Sequence, residues 1–118
     1  MTVNILGTPY EIVVQNYKDN HDFEEIGACA FCVPMTKELQ ICDMRTYPDW
    51  EDKPQKEIDY RQKLNLRHEI VHAFFYESGL WDGAYNYDGN WSMNEEMVDW
   101  IAIQGVKIYK AWQEADSL

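Results

Sequence analysis

The chain has 118 residues, and its 21 acidic and 10 basic residues give a formal net charge of −11. This length suits one domain with its own core, so a single domain over residues 1–118 is expected. The acidic balance argues against nucleic acid and anionic membranes as partners, because both attract clustered lysine and arginine.

The first half of the chain predicts a small sheet. It is rich in β-branched and small apolar residues, and turn signals around Pro9 and Pro34 divide it into two hairpins. One short helical turn is expected between the hairpins. The predicted strands are 2–6, 10–15, 28–33 and 39–43, and the predicted helical turn is 22–26.

A long helix is predicted next, over 55–78. Pro54 suits the first turn of a helix, and Asp52 is a plausible N-cap. Nothing after Pro54 breaks the helix until Gly79, which suits the left-handed position that follows a helix end.

The second long helix is predicted to begin at a capping box. Ser92-Met93-Asn94-Glu95 has the S-x-x-E pattern, with Ser92 as the N-cap and Glu95 three residues into the helix. The segment 81–91 before it is interpreted as either a mobile wall of a cleft or a simple connection. Apolar residues then recur at helical spacing and predict a core-facing stripe of Val98, Ile101, Ala102, Gly105, Tyr109 and Trp112.

Strands followed by helices are typical of an α+β fold, in which a small antiparallel or mixed sheet packs on two long helices. The start of the chain lacks the basic and apolar regions of a signal peptide. Three cysteines without an export signal, Cys29, Cys32 and Cys42, indicate free thiols in a reducing compartment. A cytoplasmic location is therefore predicted.

His68-Glu69-Ile70-Val71-His72 forms an H-E-x-x-H motif inside the first long helix. Residues four apart lie on one face of a helix, so both imidazoles can bind one Zn²⁺ ion. Glu69 lies roughly 100° further round, close enough to hydrogen-bond a water at that ion, which is the position of a general base. Apart from Arg67 the neighbouring residues are apolar, which predicts a buried helix whose polar groups need a metal.

A catalytic zinc site needs a third protein ligand, and no histidine follows His72 in the sequence. His21 is an alternative, although a surface position suits it better. At the start of the second helix, Glu95 shares a face with the apolar stripe and is favoured. Glu96 becomes the ligand if the capping box occupies Glu95. Asp99, four residues after Glu95, is placed to accept a hydrogen bond from a ligating imidazole.

The H-E-x-x-H motif followed by Asn94-Glu95-x-x-x-Asp99 resembles the gluzincin zinc metallopeptidases, which include the thermolysin-like enzymes. The stretch 66–104 is also similar to small H-E-x-x-H proteins of phages and prophages. The resemblance implies a zincin-like fold in which a short sheet lies beside the active-site helix and its edge strand holds extended peptide. It implies His68, His72 and Glu95 as zinc ligands, Glu69 as the base, and Asp99 as the partner of a ligating imidazole.

The sequence therefore predicts a zinc-dependent metallopeptidase acting on peptide or protein substrates. Zinc is expected to activate the attacking water, and Glu69 to take its proton and pass it to the leaving amine. The cysteines are expected to be buried apolar residues, although Cys29 and Cys32 form a C-x-x-C pattern. Four tyrosines are candidates for steadying the oxyanion, with core or loop positions as the alternative: Tyr60, Tyr76, Tyr85 and Tyr87.

A second hypothesis is a catalytically latent regulatory or binding protein. It would keep a zinc-stabilised fold and use its acidic surface to engage a basic protein partner. The presence of Glu69 favours the enzyme, because a purely structural zinc site does not require that residue. DNA-associated H-E-x-x-H proteases form a third class, which the net charge and the scarcity of histidine oppose.

Overall fold

The first half of the chain folds into one four-stranded sheet in a computed structural model, which describes residues 1–80 and 94–118. A short helix lies between the two hairpins, and two long helices follow the sheet. The strands are β1 (Thr2–Ile5), β2 (Thr8–Gln15), β3 (Ala30–Val33) and β4 (Glu38–Cys42). The helices are α1 (Asp22–Ile26), α2 (Gln55–Glu77) and α3 (Glu95–Glu114).

The sheet is mixed, with the strand order β1-β2-β4-β3. β1 pairs with β2 and β3 pairs with β4 in antiparallel hairpins, whereas β2 and β4 run parallel. The predicted α+β fold, with a small sheet before two long helices, is confirmed. Among the described residues β3 is an edge strand, and this edge lies beside the candidate site.

The turn of the first hairpin, predicted over 7–9, begins one residue earlier and is one residue shorter. Leu6 and Gly7 have positive φ angles of 50° and 92°, and the strands resume at Thr8. Two residues of positive φ twist the chain in the same sense as the flanking strands, which favours this two-residue turn. Pro9 therefore lies in β2, opposite Asn4, and not in the turn.

The main core lies between one face of the sheet and α2. Alternate residues of all four strands point to this face, because successive side chains of a strand face opposite sides. Ala73 of α2 packs against them, together with the half-buried Leu66 and Ile70. The buried strand residues of this core are Ile5, Tyr10, Leu39 and Ile41.

Both ends of α2 are set by the backbone. Pro54, not Asp52, occupies the N-cap, and its carbonyl accepts from the N–H groups of Glu57 and Ile58. The predicted side-chain cap at Asp52 is therefore wrong. At the other end Gly79 adopts φ 90°, and a hydrogen bond from the Leu80 N–H to the Phe75 carbonyl closes the helix, as expected for a glycine in this position.

Glu77, the last residue of α2, anchors this helix to the sheet. Its carboxylate accepts hydrogen bonds from the Tyr10 hydroxyl at 2.7 Å, from Lys37 Nζ at 2.6 Å and from the Thr8 hydroxyl at 3.3 Å. Tyr10 and Thr8 belong to β2, and Lys37 lies just before β4. One carboxylate thus ties the end of α2 to two parts of the sheet.

Replacing Glu77 with glutamine is expected to lower the free energy of unfolding by about 1–2 kcal/mol at neutral pH. Hydrogen bonds from Lys37 and Tyr10 hold the pKa of the Glu77 carboxyl below its ordinary value of 4.5. Such a group stabilises the fold above its unfolded pKa, and the contribution is lost as pH falls through the lower, folded-state pKa.

Urea unfolding of both proteins across the acid range checks this expectation. The difference in stability between wild type and variant should begin to shrink below about pH 4.5, where Glu77 of the unfolded chain becomes protonated. A difference that stays constant down to about pH 2 would contradict the assignment.

The start of α3 differs from the predicted capping box. Asn94 is the N-cap, and its side chain accepts a hydrogen bond from the Met97 N–H at 3.0 Å. Glu95 is therefore the first residue of the helix and not the third. Ser92, the predicted cap, lies outside the described residues, as do segment 81–91, Tyr85 and Tyr87. The carboxylate of Glu95 is left available for another role.

The predicted apolar stripe of α3 is correct only for its first turns. Val98 and Ala102 are buried, but Tyr109 and Trp112 are each 52% exposed. The reason is that α3 packs on α2, and an apolar groove of about 530 Å³ remains between them towards Val106 and Tyr109. No helix in the described parts of the chain is long and apolar enough to cross a membrane.

Candidate metal site

α2 and α3 bring two imidazoles and one carboxylate together. The Nε2 atoms of His68 and His72 lie 3.1 Å apart. The two carboxylate oxygens of Glu95 lie 2.8 Å from His68 Nε2 and 3.0 Å from His72 Nε2. A tetrahedral zinc ion with bonds of about 2.0–2.1 Å holds neighbouring ligand atoms roughly 3.3 Å apart, so a small outward movement fits such an ion.

Of the two glutamates considered from the sequence, Glu95 is the one that meets the histidines. It begins α3 directly after the Asn94 cap, so its side chain is not engaged in capping. Glu96, one residue further round the helix, is exposed to solvent. Whether Glu95 binds a metal stays a prediction, but the alternative in which the cap holds Glu95 is removed.

Asp99 fixes the orientation of the first imidazole. Its Oδ1 lies 2.7 Å from His68 Nδ1, and because a carboxylate accepts, that nitrogen carries the proton. The other ring nitrogen of His68, Nε2, lies 2.8 Å from a Glu95 oxygen. Two acceptor atoms this close repel each other unless a cation, either a proton or a metal ion, lies between them. The donor set therefore fits a divalent metal.

Replacing Asp99 with asparagine is expected to weaken zinc binding by about 10- to 100-fold. The amide still reaches His68 but loses the charge that strengthens the imidazole as a ligand. Competition with a chromogenic zinc chelator measures the change in affinity. Asp116→Asn, at an exposed position beyond α3, is the matched control and should bind zinc like wild type. Equal affinities of both variants would contradict this role for Asp99.

Glu69 lies beside the three converging groups but further from them. Only 5% of the residue is exposed, and its Oε1 lies 3.9 Å from His68 Nε2. Burial raises the pKa of its carboxyl to about 7, against the opposing effects of His68 and of a hydrogen bond from the Cys32 backbone. The side-chain N and O atoms of His68, Glu69 and His72 that could bind a metal lie within 4.8 Å of one another, so Glu69 borders the candidate metal site.

A cavity of about 420 Å³ opens at this cluster. The polar side of its wall consists of the site residues of α2 and α3. The opposite side is formed by the end of α1, by the residues that enter β3 and by β3 itself. Those that line the cavity from Cys29 onwards are Cys29, Ala30, Phe31 and Cys32.

The pairing of β3 shows which backbone groups face this cavity. The Cys42 N–H donates to the Cys29 carbonyl at 2.9 Å, and the register places Ala30 opposite Ile41. Hydrogen-bonded and non-hydrogen-bonded pairs alternate along an antiparallel ladder. The N–H and C=O groups of Ala30 and Cys32 therefore point away from β4, towards the open edge. The hydrogen bond between the Cys32 backbone and Glu69 agrees with this direction.

The remaining candidates from the sequence lie away from the cluster. His21 is on the surface, with its side chain 72% exposed and 3.5 Å from Glu24. Of the four tyrosines predicted as oxyanion candidates, two lie among the described residues. Tyr60 is exposed, and Tyr76 places its hydroxyl 3.8 Å from Met35 Sδ. Neither is among the described residues that line the cavity.

The cysteines are free and range from half-buried to buried. Burial raises the pKa of all three thiols, that of Cys32 to about 12, so they stay protonated at neutral pH. The expectation that the site helix is buried on all sides is wrong. Phe74 of α2 is 40% exposed, because the sheet and α3 cover only parts of the helix surface.

No known protein family, curated protein or solved structure matches this chain. The likeness to gluzincins therefore rests on the motif residues alone. The resemblance implied an edge strand beside the site, but the sequence did not identify β3 as that strand, nor Asn65 as a residue that lines the cavity. Asn65 could have been found from the sequence, because helical spacing places it on the same face of α2 as His68, Glu69 and His72.

Proposed function

We propose that this protein is a zinc-dependent metallopeptidase. The observation that carries the proposal is the convergence of His68 Nε2, His72 Nε2 and the Glu95 carboxylate within 2.8–3.1 Å of one another. Two imidazoles and one glutamate are a donor set of catalytic zinc sites, which keep a further position open for water. Zinc suits this set better than calcium or magnesium, which prefer oxygen ligands.

The position of Glu69 supports a hydrolytic role over a purely structural site. A bound zinc ion would supply an acidified water and polarise the substrate carbonyl. Glu69 takes the proton of the attacking water and passes it to the leaving amine. Its carboxylate is held at the edge of the cluster by the Cys32 backbone, near the histidines but further from His68 than Glu95 is.

The edge of β3 supports a peptide as the substrate. Ala30 and Cys32 line the cavity, and their backbone groups point to the open side of the strand. An extended peptide can add to such an edge as a further strand, with hydrogen bonds between main chains. Its scissile carbonyl then lies in the cleft between β3 and α2, beside Glu69.

A peptide library incubated with zinc-loaded protein tests the proposal. Cleavage products are expected by mass spectrometry, and EDTA should abolish them and added zinc restore them. Protein treated with EDTA and then dialysed without zinc is the matched control. Binding of zinc in a 1:1 ratio without any cleavage would overturn the peptidase and favour a zinc-stabilised binding protein with a basic partner.

A further inference from the structure

Asn65 is a polar residue of the site cavity to which the metal chemistry assigns no task. It lies on α2, four residues before Glu69, and lines the cavity together with His68 and Glu69. Its Nδ2 atom is buried and has no hydrogen-bond partner among the described residues. An amide donor that is buried without a partner is unfavourable, so its presence requires an explanation.

Local structure does not explain the asparagine. The interior of a 23-residue helix is a poor place for this residue type, because its side chain competes with the backbone for hydrogen bonds. A leucine of nearly the same shape would remove the unpartnered amide and favour the helix. Residues that break such local rules beside a cavity commonly serve a ligand.

The position of Asn65 along the cleft can be deduced from its neighbours. Glu69 meets the Cys32 backbone, and Gln62, seven residues earlier on α2, donates from Nε2 to the carbonyl of Cys42 at 3.0 Å. Cys42 pairs with Cys29, so α2 and β3 run in the same direction. Four residues of helix rise about 6 Å, and two residues of strand about 6.6 Å. Asn65 therefore lies close to the level of Ala30, a residue whose N–H and C=O both face the open edge, and both residues line the cavity.

We propose that Asn65 is a substrate-binding residue whose side-chain amide donates a hydrogen bond to a main-chain carbonyl of the peptide. The inference rests on the proposed peptidase function. In a peptide strand added to the edge of β3, only every second residue points its backbone N–H and C=O groups at β3. The carbonyls of the residues between point to the other side of the cleft, where Asn65 supplies a donor.

Two hydroxamates of different length separate this contact from binding to the metal. Acetohydroxamate reaches only the zinc ion, whereas N-acetyl-trialanine hydroxamate also offers main-chain carbonyls. With zinc-loaded protein, Asn65→Leu is expected to weaken the trialanine compound about tenfold and to leave acetohydroxamate unchanged. The melting temperature of the variant should rise, because the unpartnered donor is gone.

The matched control is Gln40→Met. Gln40 also buries an unpartnered oxygen, but it lies on β4 and is not among the described residues that line the cavity. This variant should bind both hydroxamates like wild type. Asn65→Ala removes the amide without adding an apolar branch and should show the same selective loss as Asn65→Leu.

The outcomes distinguish the two proposals. If wild type binds both hydroxamates and the variants at position 65 bind both as tightly as wild type, the inference about Asn65 is overturned while the metal site stands. An equal loss for both compounds also overturns it, since Asn65 would then act through the metal. If wild type binds neither compound, the proposed function fails and the inference fails with it.

Discussion

Glu69→Gln is expected to retain zinc and to lower the peptidase rate by a factor of about 10² to 10⁴. Glutamine has nearly the same shape and still fits the buried site, but it cannot take a proton from the attacking water. Zinc binding should persist, because Glu69 lies 3.9 Å from His68 Nε2, while the closer carboxylate is that of Glu95. The measurements are kcat/KM on a peptide found in the library and zinc content after dialysis.

The matched control for this variant is Glu57→Gln, an exposed glutamate in the first turn of the same helix. It removes an equal charge and should change neither the rate nor the zinc content. A Glu69→Gln protein that cleaves as fast as wild type would refute the role as base. If it instead loses its zinc, Glu69 belongs to the ligands and the assignment of Glu95 needs revision.

The geometry of the candidate site was largely predictable from the sequence, because a helix fixes the spacing of its side chains; whether the site binds a metal stays a prediction. His68 and His72 are four residues apart, and one helical turn brings their Nε2 atoms to 3.1 Å. The same periodicity placed Asp99 beside Glu95 on α3. What the periodicity could not show is which residue caps α3. Two polar residues, Ser92 and Asn94, compete for that position, and each choice gives Glu95 a different task.

The cleft was harder to predict, because it depends on contacts between distant segments. The sequence predicted two hairpins, but it did not show that β2 and β4 pair in parallel and leave β3 at the edge. That order joins strands of different hairpins through the parallel pair β2 and β4, and no local pattern encodes it. The backbone groups of Ala30 and Cys32 become part of the site only through this arrangement.

The exposed end of α3 shows the opposite error. Tyr109 and Trp112 fit the helical period, so the pattern predicted burial, yet each is 52% exposed. Periodicity identifies the apolar face of a helix but not how far a partner covers it. Only Val98 and Ala102 are buried on α3, where this helix packs on α2.

Zinc is expected to raise the melting temperature of wild type by roughly 12–20 °C and that of His72→Ala by almost nothing. Free zinc at about a thousand times its Kd stabilises the folded state by about 4 kcal/mol, since the ligands converge only there. Calorimetry with zinc and then with excess EDTA measures the shift and its reversal. Removing His72 leaves one imidazole and one carboxylate, which hold the ion far more weakly.

His21→Ala is the matched control, because the side chain of that histidine is 72% exposed and lies 3.5 Å from Glu24 of α1, outside the candidate metal site. It should keep the full zinc shift. The pair Glu95→Gln and Glu96→Gln then tests the third ligand: the first should lose most of the shift, and the second should keep it. If His21→Ala abolishes the shift, zinc binds at another place. If Glu96→Gln abolishes it while Glu95→Gln does not, α3 turns a different face to the ion than the 2.8 Å and 3.0 Å contacts of Glu95 indicate.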